Sequence, residues 1–215
     1  MLRSLFVIAI TFLIAASSFN AIAATAPGSD APAILIAGDS LSAAYGIPRE
    51  KSWPVLLAQR LRAEHFPHAV ANISITGETT QGGLSRLPAA LRQHRPAIVV
   101  LELGANDGLR GLALEQMRDN LRSMIRQSRQ AHAQVLLIGM KLPPNYGSEY
   151  GKKFAAVYAE LAREEKTALV PFLFEGFAER REAFIDGLHP TAETQPALLD
   201  TIWPVLRPLL RKPKP

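Results

Sequence analysis

Cysteine is absent from all 215 residues. That excludes a disulfide framework, a thiolate nucleophile and any Cys-ligated metal, as well as a lipid anchor on an N-terminal cysteine. Aromatic residues make up only 7%. The formal charge is +5, but the basic residues are scattered and form no stripe with interleaved aromatics. Nucleic acid is therefore not an expected partner. No glycine-rich loop has Walker or Rossmann spacing, and the five histidines form no group with metal-ligand spacing. No cofactor is expected. The longest apolar run, Leu5 to Ala16, falls short of the roughly 20 residues a spanning helix needs.

That run has another meaning. Met1-Leu2-Arg3 is a short positive start, and Ala21-Ile22-Ala23 carries small residues at the two positions a signal peptidase reads. Residues 1–23 read as a secretory signal peptide cleaved after Ala23. The expectation is a periplasmic or secreted protein with no stable membrane insertion after cleavage. Residues 24–215, opening with a flexible start over Ala24 to Asp30, are long enough for one packed domain.

Within that domain, strand-like and helix-like patterns alternate. Apolar runs at Ala33–Ala37, Val70–Ile75, Ala97–Leu103, Val135–Met140 and Ala168–Phe174 predict five strands. Helical spacing follows Ser52 and continues to Glu64. It recurs around Leu84, Leu87 and Leu91, over Leu114 to Ser128, around Phe154 to Leu161, and from Thr194 to Leu210. Pro88 obscures the start of the second helix, and Pro204 and Pro208 predict a kink or break in the last. Lys141 to Gly151 reads as a loop. Buried strands separated by helices mean a parallel sheet covered on both faces, a doubly wound α/β domain.

Three strand ends carry small polar clusters: Gly38-Asp39-Ser40-Leu41-Ser42, Thr76-Gly77-Glu78-Thr79-Thr80 and Gly104-Ala105-Asn106-Asp107-Gly108. A fourth, Asp186-Gly187-Leu188-His189-Pro190, precedes the last helix. Taken singly, each is an ordinary turn sequence. Together they converge on the carboxyl edge of the sheet, where ligands bind. A serine hydroxyl is a weak nucleophile and needs an adjacent base. Ser40 is the candidate nucleophile, His189 the base, and Asp186 the group that orients the imidazole. A tetrahedral oxyanion needs fixed donors, and the N–H groups of Ser40 and Gly77 with the Asn106 amide are the natural set. His65, His68, His94 and His132 lie away from that edge and read as surface or packing residues. The Gly-x-Ser-x-Gly elbow of α/β-hydrolases is missing.

The four blocks, in this order over nearly the whole domain, resemble those of the SGNH (GDSL-type) hydrolases. The stretches Gly104 to Gly111 and Leu142 to Gly147 are similar to its group of periplasmic thioesterases, lysophospholipases and arylesterases. The resemblance implies a flavodoxin-like three-layer α/β/α sandwich on a five-stranded parallel sheet. It also implies a Ser40, Asp186, His189 triad, an oxyanion hole of Ser40, Gly77 and Asn106, and hydrolysis of acyl esters and thioesters without a cofactor. Glu78 departs from the Asp that follows the block glycine in the enteric pattern, adding one methylene beside Gly77.

The loop after the fourth strand is expected to overhang the site. Leu109, Leu142, Pro143 and Tyr146 are the candidate acyl-groove residues, with Leu112 and Tyr150 beside them. The alternative is that they only pack the loop down. Arg110 and Lys141 read as solvated cations. A small acyl ester or thioester is the expected partner, met by a monomer. Two other functions remain: a carbohydrate O-acetyl esterase, and a non-catalytic flavodoxin-like binding module.

Overall fold

In the computed structural model, which describes residues 31–210, the apolar runs pair into one all-parallel sheet. Its strands are β1 (Ala33–Gly38), β2 (Ala69–Asn72), β3 (Ile98–Glu102), β4 (Gln134–Ile138) and β5 (Ala168–Val170), in the order β2-β1-β3-β4-β5. The signal peptide, its cleavage site and the flexible mature start lie outside the described residues.

The chain starts beside the sheet's left edge, moves outward to β2, and then crosses back over β1 to build rightward. Right-handed crossovers therefore put the first connecting helix on one face and the next ones on the other. Accordingly, α1 (Trp53–Ala63) packs against the last helix, α6 (Gln195–Leu206). On the opposite face α2 (Thr80–His94) packs on α4 (Leu114–Gln130), and α4 on α5 (Ser148–Glu164). A short α3 (Ala105–Leu109) follows β3. β1 and β3 run side by side although the chain leaves β1 in the other direction. Their carboxyl ends, Gly38 and Glu102, are register partners. This is the switch point of a 2-1-3-4-5 sheet, where loops diverge and leave a crevice.

The helices bury the positions their spacing marks. α4 turns Met117, Leu121, Met124, Ile125 and Ser128 inward. Its outer arginines meet α5: Arg118 and Arg122 both reach Glu164. Exposed pairs of this kind add little stability each. Trp53, Leu57 and Leu61 are fully buried where α1 packs against β2 and α6.

Several boundaries differ from the sequence expectation, each for a local reason. β5 ends at Val170, where the expected run continued to Phe174. Pro171 has no N–H for the ladder, and the chain turns there, with Leu173 N–H donating to Gly139 O at 3.0 Å. β2 stops at Asn72, yet Ile73 and Ile75 N–H groups still donate to Ile36 and Gly38 carbonyls. α2 runs unbroken through Pro88, held by the buried Gly83, Leu87, Ala90 and Leu91. α6 likewise passes Pro204 and tightens into a 3₁₀ turn, Arg207–Leu209, at Pro208. The predicted loop 141–151 contains a 3₁₀ turn, Pro144–Tyr146, and the first residues of α5.

Candidate active site

Ser40 lies two residues past β1, in a turn closed by Ala43 N–H donating to Asp39 O at 2.9 Å. Only 9% of Ser40 is exposed. On the other side of the crevice, Asp186 builds the turn that carries His189. Its Oδ1 accepts the N–H groups of Leu188 at 3.0 Å and His189 at 2.9 Å. Gly187, directly after Asp186, has φ +85°, a conformation that favours glycine. The carboxylate's other oxygen, Oδ2, lies 2.7 Å from His189 Nδ1. The far ring nitrogen, Nε2, lies 3.0 Å from Ser40 Oγ. The hydroxyl, imidazole and carboxylate thus form one hydrogen-bonded chain. Tyr45 covers the imidazole, with ring centroids 4.3 Å apart.

Asn106 sits in the first turn of α3, after Gly104 at φ +115°. Its Nδ2 donates to Asp39 Oδ2 at 3.0 Å, which leaves its second N–H for another acceptor. Gly77 has φ +77° and is held beside α3 by Arg110 Nη2 donating to its carbonyl at 2.8 Å. Among the described residues, neither the Ser40 N–H nor the Gly77 N–H donates to a protein acceptor.

Ser40 and His189 open into a cavity of about 660 Å³. Its wall takes Leu109 from α3, Met140, Leu142 and Pro143 from the segment after β4, and Phe172, Phe174, Ala178 and Phe184 from the chain after β5. The wall is mostly apolar, with Lys141 and Glu179 at polar positions. Of the residues expected to form an acyl groove, Leu109, Leu142 and Pro143 are in this wall. Tyr146 is not. It ends the 3₁₀ turn Pro144–Tyr146, of which Pro144 is in the wall. Tyr150 packs elsewhere too, with its hydroxyl toward the Gly108 and Leu112 carbonyls.

Residues 36–195 match the GDSL-like lipase/acylhydrolase family. The chain belongs to this family. It is 49% identical to the esterase TesA of Pseudomonas aeruginosa over 181 residues, which cover 84% of this chain and 90% of that protein. It is 41% identical to thioesterase 1/protease 1/lysophospholipase L1 of Escherichia coli K12 over 181 residues, covering 84% and 86%. Among solved structures, the psychrotrophic esterase EstA from Pseudoalteromonas, inhibited by monoethylphosphonate, superposes with a TM-score of 0.78. It is 38% identical, and the match covers 82% of this chain and 97% of that one.

In this SGNH hydrolase the electrostatics around Ser40 are uneven. Burial of the Asp186 carboxyl opposes its ionisation, but the N–H groups of His189 and Leu188 and the His189 ring outweigh that and hold it at about 2. It is ionised throughout the neutral range, and an ionised Asp186 favours the His189 tautomer with its proton on Nδ1. Nε2 is then left to accept from Ser40. Asp39, on the inner side of the turn, behaves oppositely. Burial pushes it up to about 6, although the Leu41 N–H, the Asn106 amide and His189 favour its charge. Beneath it, Glu102 is fully buried. Its Oε2 accepts Ser42 Oγ at 2.7 Å and Asp39 N–H at 3.3 Å. Burial and the neighbouring Asp39 raise its pKa well above the usual carboxylate range.

Sequence reasoning missed this layer. Its one signal was Glu102, the only charge in an otherwise apolar strand. Tyr45 gave none, because its contact with His189 joins residues far apart in the chain. The Glu78 departure turns away from the cavity: its carboxylate pairs with Arg86 of α2 at 2.6 Å, and Gly82 provides the space. His65, His94 and His132 lie outside the cavity wall, and His68 is buried beside Phe66.

Proposed function

We propose that this chain is an exported serine esterase, working as a monomer, that hydrolyses carboxylic esters and thioesters carrying an apolar acyl group. The observation that carries the reading is the chain from Ser40 Oγ through His189 to Asp186, at 3.0 and 2.7 Å, opening into an apolar cavity. His189 Nε2 takes the Ser40 proton as Oγ attacks the acyl carbonyl. The charge that develops on the carbonyl oxygen is met by the Ser40 N–H, the Gly77 N–H and the second Asn106 N–H. Asp186 stabilises the imidazolium while His189 donates its proton to the departing alkoxide or thiolate. Water then attacks the acyl-enzyme by the reverse use of the same groups. Thioesterase, lysophospholipase and esterase names among the relatives support an acyl substrate of this class. The export reading rests on the sequence of residues 1–23.

The apolar cavity favours medium acyl chains over acetate. Each added methylene buried on binding contributes about 0.8 kcal/mol, or roughly fourfold in kcat/KM until the cavity is filled. A series of p-nitrophenyl esters from acetate to palmitate tests this, with labelling by a fluorophosphonate. Labelling of the native protein but not of Ser40→Ala is the expected result. Equal labelling of both overturns the nucleophile assignment. An acetate optimum overturns the acyl assignment in favour of an O-acetyl esterase.

A further inference from the structure

The anion site assigned above takes its donors from two loops that leave different strands. Gly77 follows β2 and Asn106 follows β3, and those strands are not neighbours in the sheet. Such a site keeps its geometry only if the two loops are tied to each other. The residues just after Asn106 supply two ties. Asp107 is 3% exposed. It accepts the Thr80 N–H at Oδ2, 2.9 Å, and the Thr80 hydroxyl at Oδ1, 2.5 Å. Thr80 opens α2, three residues after Gly77. Its hydroxyl oxygen also accepts Asn120 Nδ2 at 3.1 Å, and Asn120 Oδ1 accepts Gln116 Nε2 at 2.9 Å, so the tie is rooted in α4. The second tie is Arg110 Nη2 to the Gly77 carbonyl at 2.8 Å.

We infer that Asp107 and Arg110 are positioning residues that set the separation between the Gly77 N–H and the Asn106 amide, so that the anion site is formed before substrate arrives. This rests on the oxyanion assignment made under the proposed function. The ties are not needed merely to begin α2, because Thr79 Oγ1 already accepts the Gly82 N–H as an N-cap. Arg110 is exposed, and its bond is to the loop rather than to the core. It fixes the carbonyl side of Gly77 while leaving the N–H of the same residue unpaired. Donors held in place at no reorganisation cost act on the transition state and not on ground-state binding. The ties should therefore show in kcat.

The test compares Arg110→Ala, Thr80→Val and Thr80→Ser with native protein and with Asn106→Ala. The assays are p-nitrophenyl butyrate hydrolysis and the Kd of an alkylboronic acid, whose serine adduct is tetrahedral and anionic. All measurements are made well below each variant's melting temperature. Arg110→Ala is expected to lower kcat about three- to tenfold and Thr80→Val about tenfold or more, each with KM nearly unchanged. Thr80→Ser, which keeps both bonds to Asp107, is expected to stay within about twofold. The boronate Kd rises in step with the loss in kcat, which a change in stability alone would not produce. If Thr80→Val does not fold, Arg110→Ala decides the question, since its side chain lies outside the core. The inference is overturned if Asn106→Ala loses kcat about 10²- to 10³-fold while the Arg110 and Thr80 variants keep theirs, or if only KM moves. A loss below about tenfold in Asn106→Ala instead overturns the oxyanion assignment itself.

Discussion

Asp39→Asn separates activity from stability at one buried atom. Asp39 is 1% exposed and holds two donors at once: the Leu41 N–H on Oδ1 and Asn106 Nδ2 on Oδ2, each at 3.0 Å. Asparagine has the same shape but only one acceptor. The Leu41 N–H is fixed by the backbone turn, so the new carbonyl stays there and the new amide faces the amide of Asn106. Donor then meets donor. Asn106 turns over to present its oxygen, and its free N–H leaves the anion site. Loss of one such donor lowers kcat by about 10² to 10³, or about 3 kcal/mol of transition-state stabilisation. Stability moves the other way. Burial raises the Asp39 pKa from 3.8 to about 6. Its contribution is therefore fully present below the unfolded value and is lost as pH rises through about 6. Two pH units correspond to about 3 kcal/mol. Asparagine never ionises, so between about pH 3.5 and 7.5 the stability difference shifts in favour of Asp39→Asn by about that amount. Urea unfolding at both pH values and kcat at about pH 8 measure the two effects. A kcat within about threefold of native, or stability curves that run parallel with pH, would refute the reasoning.

Three further outcomes are expected. Asp186→Asn places the wrong imidazole tautomer against Ser40 and should cut kcat by about 10⁴. A loss under tenfold in steady-state ester hydrolysis would mean that something else orients His189. Gly104→Ala forces a side chain into φ +115° and drives its Cβ into the Tyr158 hydroxyl, which donates to Leu103 O at 3.1 Å. Backbone strain and the disturbed buried hydroxyl together cost about 2–6 kcal/mol in urea unfolding, and a value under about 1 would contradict this. Leu142→Ala removes part of the cavity wall. It should lower kcat/KM for octanoate up to about thirtyfold and leave acetate nearly unchanged, because only the longer chain reaches the lost contact. Equal losses for both esters would place Leu142 outside the acyl path.

The periodic parts of the fold were legible in the chain because burial imposes them residue by residue. Five apolar runs between helical spacings could only become a covered parallel sheet. The helix of Met117, Leu121 and Ile125 buries the face its spacing marked. Strand ends were less legible. Leu173 and Phe174 are as apolar as a strand residue, yet Pro171 ends the ladder and the following chain turns. Tyr146 is absent from the cavity wall although Leu142, Pro143 and Pro144 are in it, because nearness along the chain does not say which residues of a 3₁₀ turn border a cavity.

Chain order alone brings Ser40, Gly77, Asn106 and the Asp186–His189 turn to the carboxyl edge of the sheet. Each follows a strand or precedes the last helix, and chain order with right-handed crossovers leaves little freedom. How those groups are held follows from packing between distant parts of the chain. The Asp39–Asn106 bond, the Glu102 carboxyl under the turn, Tyr45 over His189 and the Asp107–Thr80 tie all join residues 27 to 144 positions apart. Such contacts leave no local pattern. The first two exist because β1 and β3 lie side by side at the switch point, and the other two because the loops after β2 and β5 fold over the same carboxyl edge.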